Sequence, residues 1–197
     1  MNRREALKKT VFLGGTALAS TSMLTLLQSC QQQARLDWQP LFLSVDHAQL
    51  VSSLVDTILP ATDTPGGLDV KLDMFIDLIY AKSLDEDAQK QQAQELDAFD
   101  QKCKDQFGSA FHQLDADQKK TILMAEESNS PKFNGGVWGT AVGEQEPVGF
   151  YRSLKSLMLW GYFTSEAIGK DVLNYDPIPG EYKGCVPLSE IGKVWSL

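Results

Sequence analysis

From Phe150 to Phe163 the chain reads FYRSLKSLMLWGYF, with apolar or aromatic side chains at Phe150, Tyr151, Leu154, Leu157, Met158, Leu159, Trp160, Tyr162 and Phe163. The pattern predicts a helix that is apolar on nearly every side. Such a helix has to be buried, within its own domain or against a partner. Beyond it the character reverses. Asp176-Pro177-Ile178-Pro179-Gly180 cannot be helical, because two prolines fix φ and withhold backbone donors. The segment carrying Tyr175, Tyr182, Pro187 and Trp195 is too irregular to make a core. It reads either as a strap lying on another surface or as a tail packed on its own helices.

Upstream, Ser44 is a candidate N-cap, and Leu50, Val51, Leu54, Val55, Ile58 and Leu59 recur at helical spacing until Pro60 stops the run. Ala61-Thr62-Asp63-Thr64-Pro65-Gly66-Gly67 is a turn cluster. A second helix is expected over 70–81, burying Leu72, Phe75, Ile76, Ile79 and Tyr80 and turning Asp73 and Asp77 outward. Residues 84–107 are polar and helix-prone, anchored at Leu96, Phe99, Cys103 and Phe107, with Gly108 as the stop. Asp115 and Gln118 form a capping box that opens a fourth helix through Ile122, Leu123 and Met124. Residues 128–148 make a long Gly- and Asn-rich loop holding the apolar pair Val137-Trp138. No repeat and no β-alternation interrupts the series. The expected fold is an all-α single domain of about five helices, with a long loop before the last core helix and an extended C-terminal tail. It occupies residues 44–197, a length that suffices for a real core.

The N-terminus reads differently. Arg3 and Arg4 precede a mildly apolar run from Val11 to Leu27, which ends at Leu27-Gln28-Ser29-Cys30. A basic start, a moderate apolar middle and a small residue before a cut describe an export signal. The arginine pair indicates the twin-arginine route, which carries folded proteins. Leu27-Gln28-Ser29-Cys30 is similar to a lipobox, whose cysteine would be lipidated; the alternative is an uncleaved membrane anchor. Either places the domain outside the cytoplasm, in the periplasm. Residues 1–30 are thus read as signal and 31–43 as a polar spacer. The whole chain of 197 residues has a net charge of −8. Without the four basic residues and one acidic residue of positions 1–29 the balance becomes −11. Such acidity argues against nucleic acid as a partner. Beyond Cys30 two thiols remain, Cys103 and Cys185. They can pair with each other, closing a loop of roughly 80 residues worth about 4 kcal/mol, or Cys185 can pair with a partner chain, or both can stay free.

No catalytic constellation stands out. His47 and His112 lack a second His or Cys at metal spacing, and His47, in a first helical turn, is expected to face solvent. Gly135-Gly136 and Gly14-Gly15 lack a phosphate-loop pattern, and no Cys-x-x-Cys-His haem attachment occurs. Among the carboxylates Asp56, Asp63, Asp73, Asp77, Glu166 and Asp176, the two most worth testing as an acid or base are Asp56 and Glu166. Each of the others has a simpler place on a polar helix face or at a turn.

Four patterns together carry a family resemblance: the Arg3-Arg4 signal, DTILPATDTPG at 56–66 with FIDLI at 75–79, LKSLMLWGYFTSE at 154–166, and NYDPIPGEYKGCVPL at 174–188. The chain resembles the gluconate 2-dehydrogenase subunit 3 family, the small (gamma) subunits of membrane-associated sugar dehydrogenases. The resemblance implies a non-catalytic subunit that binds no cofactor and supports folding and export of a large flavoprotein of the glucose-methanol-choline type. In that arrangement FAD sits in the large subunit, and a cytochrome c often brings haem. It also implies partner contacts from Gly161, Tyr162, Phe163, Tyr175, Pro177, Pro179, Tyr182, Cys185 and Trp195. Two features depart from the family. Cys30 suggests a lipid-anchored branch, and Lys71 stands where small residues are common. Two other readings stay open: a free-standing enzyme using Asp56 or Glu166, and a lipid-anchored scaffold or binding protein without a redox partner.

Overall fold

The structure, a computed structural model, describes residues 36–131, 136–137, 140–141, 148–178, 180–181 and 184–196. Arg3, Arg4 and Cys30 of the export reading lie outside the described residues, as do Trp138, Pro179 and Tyr182. The folded unit begins at Leu36.

Five helices of twelve residues or more build it: α1 (Val45–Ile58), α2 (Leu72–Ser83), α3 (Glu86–Phe107), α4 (Ala116–Asn129) and α5 (Phe150–Phe163). A 3-10 turn at Phe111–Gln113 joins α3 to α4. A π turn at Ile168–Val172 follows α5, and a single-turn helix, α6 (Leu188–Ile191), lies in the tail. The all-α expectation holds, with one small addition. Gly136–Val137 and Thr140–Ala141 form an antiparallel ladder, β1 and β2, with Gly136 opposite Ala141. Strands of two residues are too short to show alternation in a sequence.

The ends of the helices follow local chemistry. The Ser44 hydroxyl accepts from the His47 amide at 3.1 Å and starts α1. Asp85 accepts from the Ala88 amide at 2.8 Å and starts α3. Gly108 ends α3 at φ 76°, a left-handed conformation that costs glycine little. Asp115 and Gln118 cap α4 reciprocally, at 2.8 and 3.2 Å. The start of α2 departs from expectation. Residues 67–71 form a turn in which the Leu72 amide donates to the Gly67 carbonyl at 3.0 Å, so the helix opens at Leu72 rather than at residue 70.

At the centre, α2 packs against both α1 and α5, while α1 also meets α3 and the 3-10 turn. Leu50, Leu54, Leu72, Ile76, Leu96, Phe111, Ile122 and Met158 are almost wholly buried. Each such side chain contributes about 1.5–3 kcal/mol relative to exposure. Cys103 lies in this same cluster.

Two expectations fail together. Asp73 and Asp77, assigned to an outward polar face, are buried at 7 % and 1 % exposure. Residues 36–43, assigned to a spacer, are an arm folded into the unit: Leu43 is buried, and Leu36, Trp38 and Phe42 pack on the core. The failures share one cause. The Leu41, Phe42 and Leu43 amides donate to the Asp77 carboxylate at 2.7, 3.0 and 2.8 Å. The Trp38 indole and the Ser52 hydroxyl donate to Asp73 at 3.2 and 2.6 Å. A carboxylate can go inside when such donors replace its water. His47 is likewise not turned to solvent. Its Nε2 lies 2.7 Å from Asp97 Oδ1, tying α1 to α3.

Asp77→Ala removes one acceptor and strands three amides. It is expected to lower the unfolding free energy by about 3 kcal/mol or more, measured by urea denaturation of the full chain.

Candidate partner-docking surface

The helix that reads as apolar all round turns out to have two apolar faces with different fates. On one, Tyr151, Leu154, Met158, Gly161 and Tyr162 are buried. On the other, Trp160 and Phe163 remain 56 % and 50 % exposed. Gly161 and Tyr162, expected at a partner contact, are used inside the chain. A Cβ on Gly161 would come within 2.7 Å of both Leu72 and the Phe75 ring, so glycine here sets how closely α5 approaches α2. The Tyr162 hydroxyl donates to the Pro65 carbonyl at 2.6 Å. That carbonyl is presented by the turn after α1, where a Cβ on Gly66 would meet the Ala61 amide nitrogen at 2.6 Å. Asp69 accepts from the Gly66 amide at 2.7 Å and holds the same turn. The 56–66 and 154–166 patterns are therefore two halves of one internal joint.

What α5 leaves outside is continued by α2. The Trp160 ring lies 5.6 Å from that of Phe75, tilted by 46°. On α2, Met74 and Leu78 stand one turn apart at 38 % and 45 % exposure. The result is an apolar band along neighbouring α2 and α5. Its origin is the inverted polarity of α2: with Asp73 and Asp77 drawn inward to the arm, Met74 and Leu78 take the outward positions. Periodicity alone missed them, because it assigns acids to water. The signal available was the density of apolar residues in LDMFIDLIYA, more than one face of a helix can bury.

Beyond α5, Thr164 and Ser165 hydroxyls donate back to the Trp160 and Tyr162 carbonyls, each at 2.7 Å. A cleft of about 530 Å³ opens between this end and the start of α2, lined by Asp69, Lys71, Ser165, Glu166 and Lys170 among others. Glu166 pairs with Lys170 at 2.6 Å. That hydrogen bond holds the Glu166 carboxyl below its ordinary value, the reverse of what a general acid near neutrality needs. Asp56, the other candidate acid or base, lies exposed on α1. Among the described residues no group of three or more His, Cys, Asp or Glu could hold a metal ion. Among them, too, no helix is long and apolar enough to cross a membrane.

The tail closes on itself. Asn174 and Trp195 form a parallel bridge, in which the Asn174 amide donates to the Val194 carbonyl and the Ser196 amide donates to the Asn174 carbonyl, both at 2.9 Å. The Asn174 side-chain amide donates to the Ile191 and Lys193 carbonyls at 2.7 and 2.8 Å. This clamp keeps Tyr175, Pro177, Cys185 and Trp195 on an exposed loop. Ile178 and Leu188 are each 83 % exposed on it. The two cysteines are free, Cys103 buried on α3 and Cys185 exposed on the tail, so the internal bridge is not formed. Burial, chiefly, pushes the Cys103 thiol up to about 12.

Residues 45–180 match the family model described as Gluconate 2-dehydrogenase subunit 3. No curated protein and no solved structure matches the chain.

Two outcomes follow from this geometry. Gly161→Ala forces α5 off α2 and is expected to cost about 1–3 kcal/mol in thermal or chemical unfolding. Brief maleimide treatment of the native chain is expected to label Cys185 and spare Cys103, as read by peptide mapping.

Proposed function

The chain belongs to the gluconate 2-dehydrogenase subunit 3 family, and from that premise we propose that it is the non-catalytic accessory subunit of a periplasmic, membrane-associated flavin dehydrogenase. The observation that carries the reading is the apolar band formed by Met74, Phe75, Leu78, Trp160 and Phe163, on a chain whose family is defined as one subunit of a dehydrogenase. Large aromatic side chains held at a surface by a rigid pair of helices suit a permanent protein contact. The exposed tail residues Tyr175, Pro177, Cys185 and Trp195 extend the area available to the same partner, with Pro179 and Tyr182 in the same stretch. Gly161 and Tyr162 act indirectly, by fixing the helix that presents Trp160 and Phe163.

The partner in this proposal is a large glucose-methanol-choline-type flavoprotein, which holds FAD and oxidises an alcohol group on a sugar or sugar acid. A cytochrome c takes the electrons onward. Arg3 and Arg4 direct folded export of the pair, and a lipid on Cys30 keeps it at the membrane. Support and export of the large subunit, rather than catalysis, is the role proposed for this chain.

The test is recovery of the tagged chain from its own cell envelope in mild detergent. A yellow, stoichiometric complex with a large FAD-bearing chain is the expected result, and a colourless monomer overturns the proposal. The double substitution Trp160→Ala with Phe163→Ala is expected to weaken that complex by about 2 kcal/mol or more, roughly 30-fold in affinity. Both side chains are at least half exposed, so the thermal midpoint of the chain alone is expected to change little.

A further inference from the structure

We propose that the edge made by the arm and the first turn of α1, where Leu41 and Val45 stand exposed, is the face this domain turns to a lipid surface. The proposal rests on the lipid at Cys30 in the reading above. It adds which side of the folded unit that lipid holds at the membrane.

The constraint is one of reach. Cys30 precedes Leu36, the start of the folded unit, by six residues. Fully extended, six residues span about 20 Å, and as a flexible chain about 13 Å on average. A folded unit of roughly 160 residues is about 40 Å across. A tether no longer than half that width cannot carry its point of attachment to the far side. The hemisphere around Leu36 therefore faces the surface that holds the lipid.

The arm lends no slack to this tether. Leu36 and Trp38 pack on the core, the Trp38 indole donates to Asp73, and the Leu41, Phe42 and Leu43 amides donate to Asp77. Beside these anchored positions two large apolar side chains are left outside. Leu41 is 66 % exposed on the arm, and Val45 is 59 % exposed at the start of α1. Asp37, Gln39 and Asp46 are exposed in the same stretch, and residues 36–46 hold no Lys or Arg. An edge of this composition suits the head-group layer of a neutral lipid, with the two apolar side chains reaching toward the acyl boundary. It has no cation with which to hold anionic lipid. The lipid on Cys30 supplies the attachment, and the edge takes the orientation that the short tether imposes.

The test uses the full-length chain, lipidated in its own envelope, purified, and placed in phosphatidylcholine vesicles without the flavoprotein. Leu41→Cys is labelled with a bulky polyethylene-glycol maleimide, and the native Cys185, exposed on the tail, is followed in the same sample. A second chain carries about twelve Gly and Ser residues inserted ahead of Leu36, which lengthens the tether and frees the domain to roll. On the short tether Leu41→Cys is expected to react more slowly than on the long one by about fivefold or more, in low and high salt alike. Cys185 is expected to react at the same rate on both. The thermal midpoint of Leu41→Cys should stay near that of wild type, because the side chain is exposed and the amide is kept. Equal rates for Leu41→Cys on the two tethers overturn the proposal. So does shielding of Cys185 in place of Leu41→Cys, which marks another face as the one toward the lipid. Slow labelling that persists when Cys30→Ser is added overturns it too, since the cover is then the chain itself or a second copy. Slow labelling relieved by salt does the same, because the contact is then ionic. A chain recovered without lipid, which does not float with the vesicles, is a separate failure that removes the anchor on which the proposal stands.

Discussion

Three backbone amides converging on one carboxylate hold this domain in register. The Asp77 side chain accepts from Leu41, Phe42 and Leu43, and one helical turn earlier Asp73 accepts from Trp38 and Ser52. The arm places Leu43 in the core and lays Trp38 and Phe42 over it. A buried carboxylate deprived of its donors is far more costly than one that keeps them, so arm and helix are stable only together. The face α2 offers to α5 is fixed by the same contacts. Once Asp73 and Asp77 point toward the arm, Leu72 and Phe75 are turned toward Gly161, and Met74 and Leu78 must face out.

The exposed band is therefore a product of the core rather than a decoration on it. A helix with two inward acids and several apolar residues cannot hide all of the latter. Here the surplus is gathered beside Trp160 and Phe163 instead of being scattered. Scattered apolar residues are ordinary on any protein surface, whereas a contiguous stripe on packed helices calls for a partner. The family to which the chain belongs is one of dehydrogenase subunits, and a subunit needs a surface of this kind.

How much of this could be read in advance depended on whether the deciding contact was local. The caps at Ser44 and Gly108 and the Asp115–Gln118 box involve neighbours in sequence, and all three are where local chemistry puts them. The anchors Leu96, Phe99 and Cys103 were visible from spacing. Asp73 and Asp77 depart from the expected outward face because their donors are distant, on the arm and, for Asp73, also at Ser52 on α1, and periodicity carries no information about distant donors. Gly161 and Tyr162, expected at a partner contact, are buried within the chain. Their neighbours Leu72, Phe75 and Pro65 are about ninety residues distant. Of the exposed aromatics on α5, Phe163 is among the residues expected at a partner contact, whereas Trp160 is hidden within a run that looks uniformly apolar. Only the direction taken by α2 separates Trp160 from Met158.

The arm has a mechanical meaning as well. Tension applied ahead of Leu36 enters the folded unit along residues 36–43, before it reaches any helix. The anchorages it meets in turn are the packing of Leu36 and Trp38 on the core, the Trp38 bond to Asp73, and then the three amides on Asp77. Both carboxylates stand on α2, so the load passes from the arm into that helix and the faces it shares with α1 and α5. Under pull, arm and α2 yield together, and the apolar band that α2 presents goes with them.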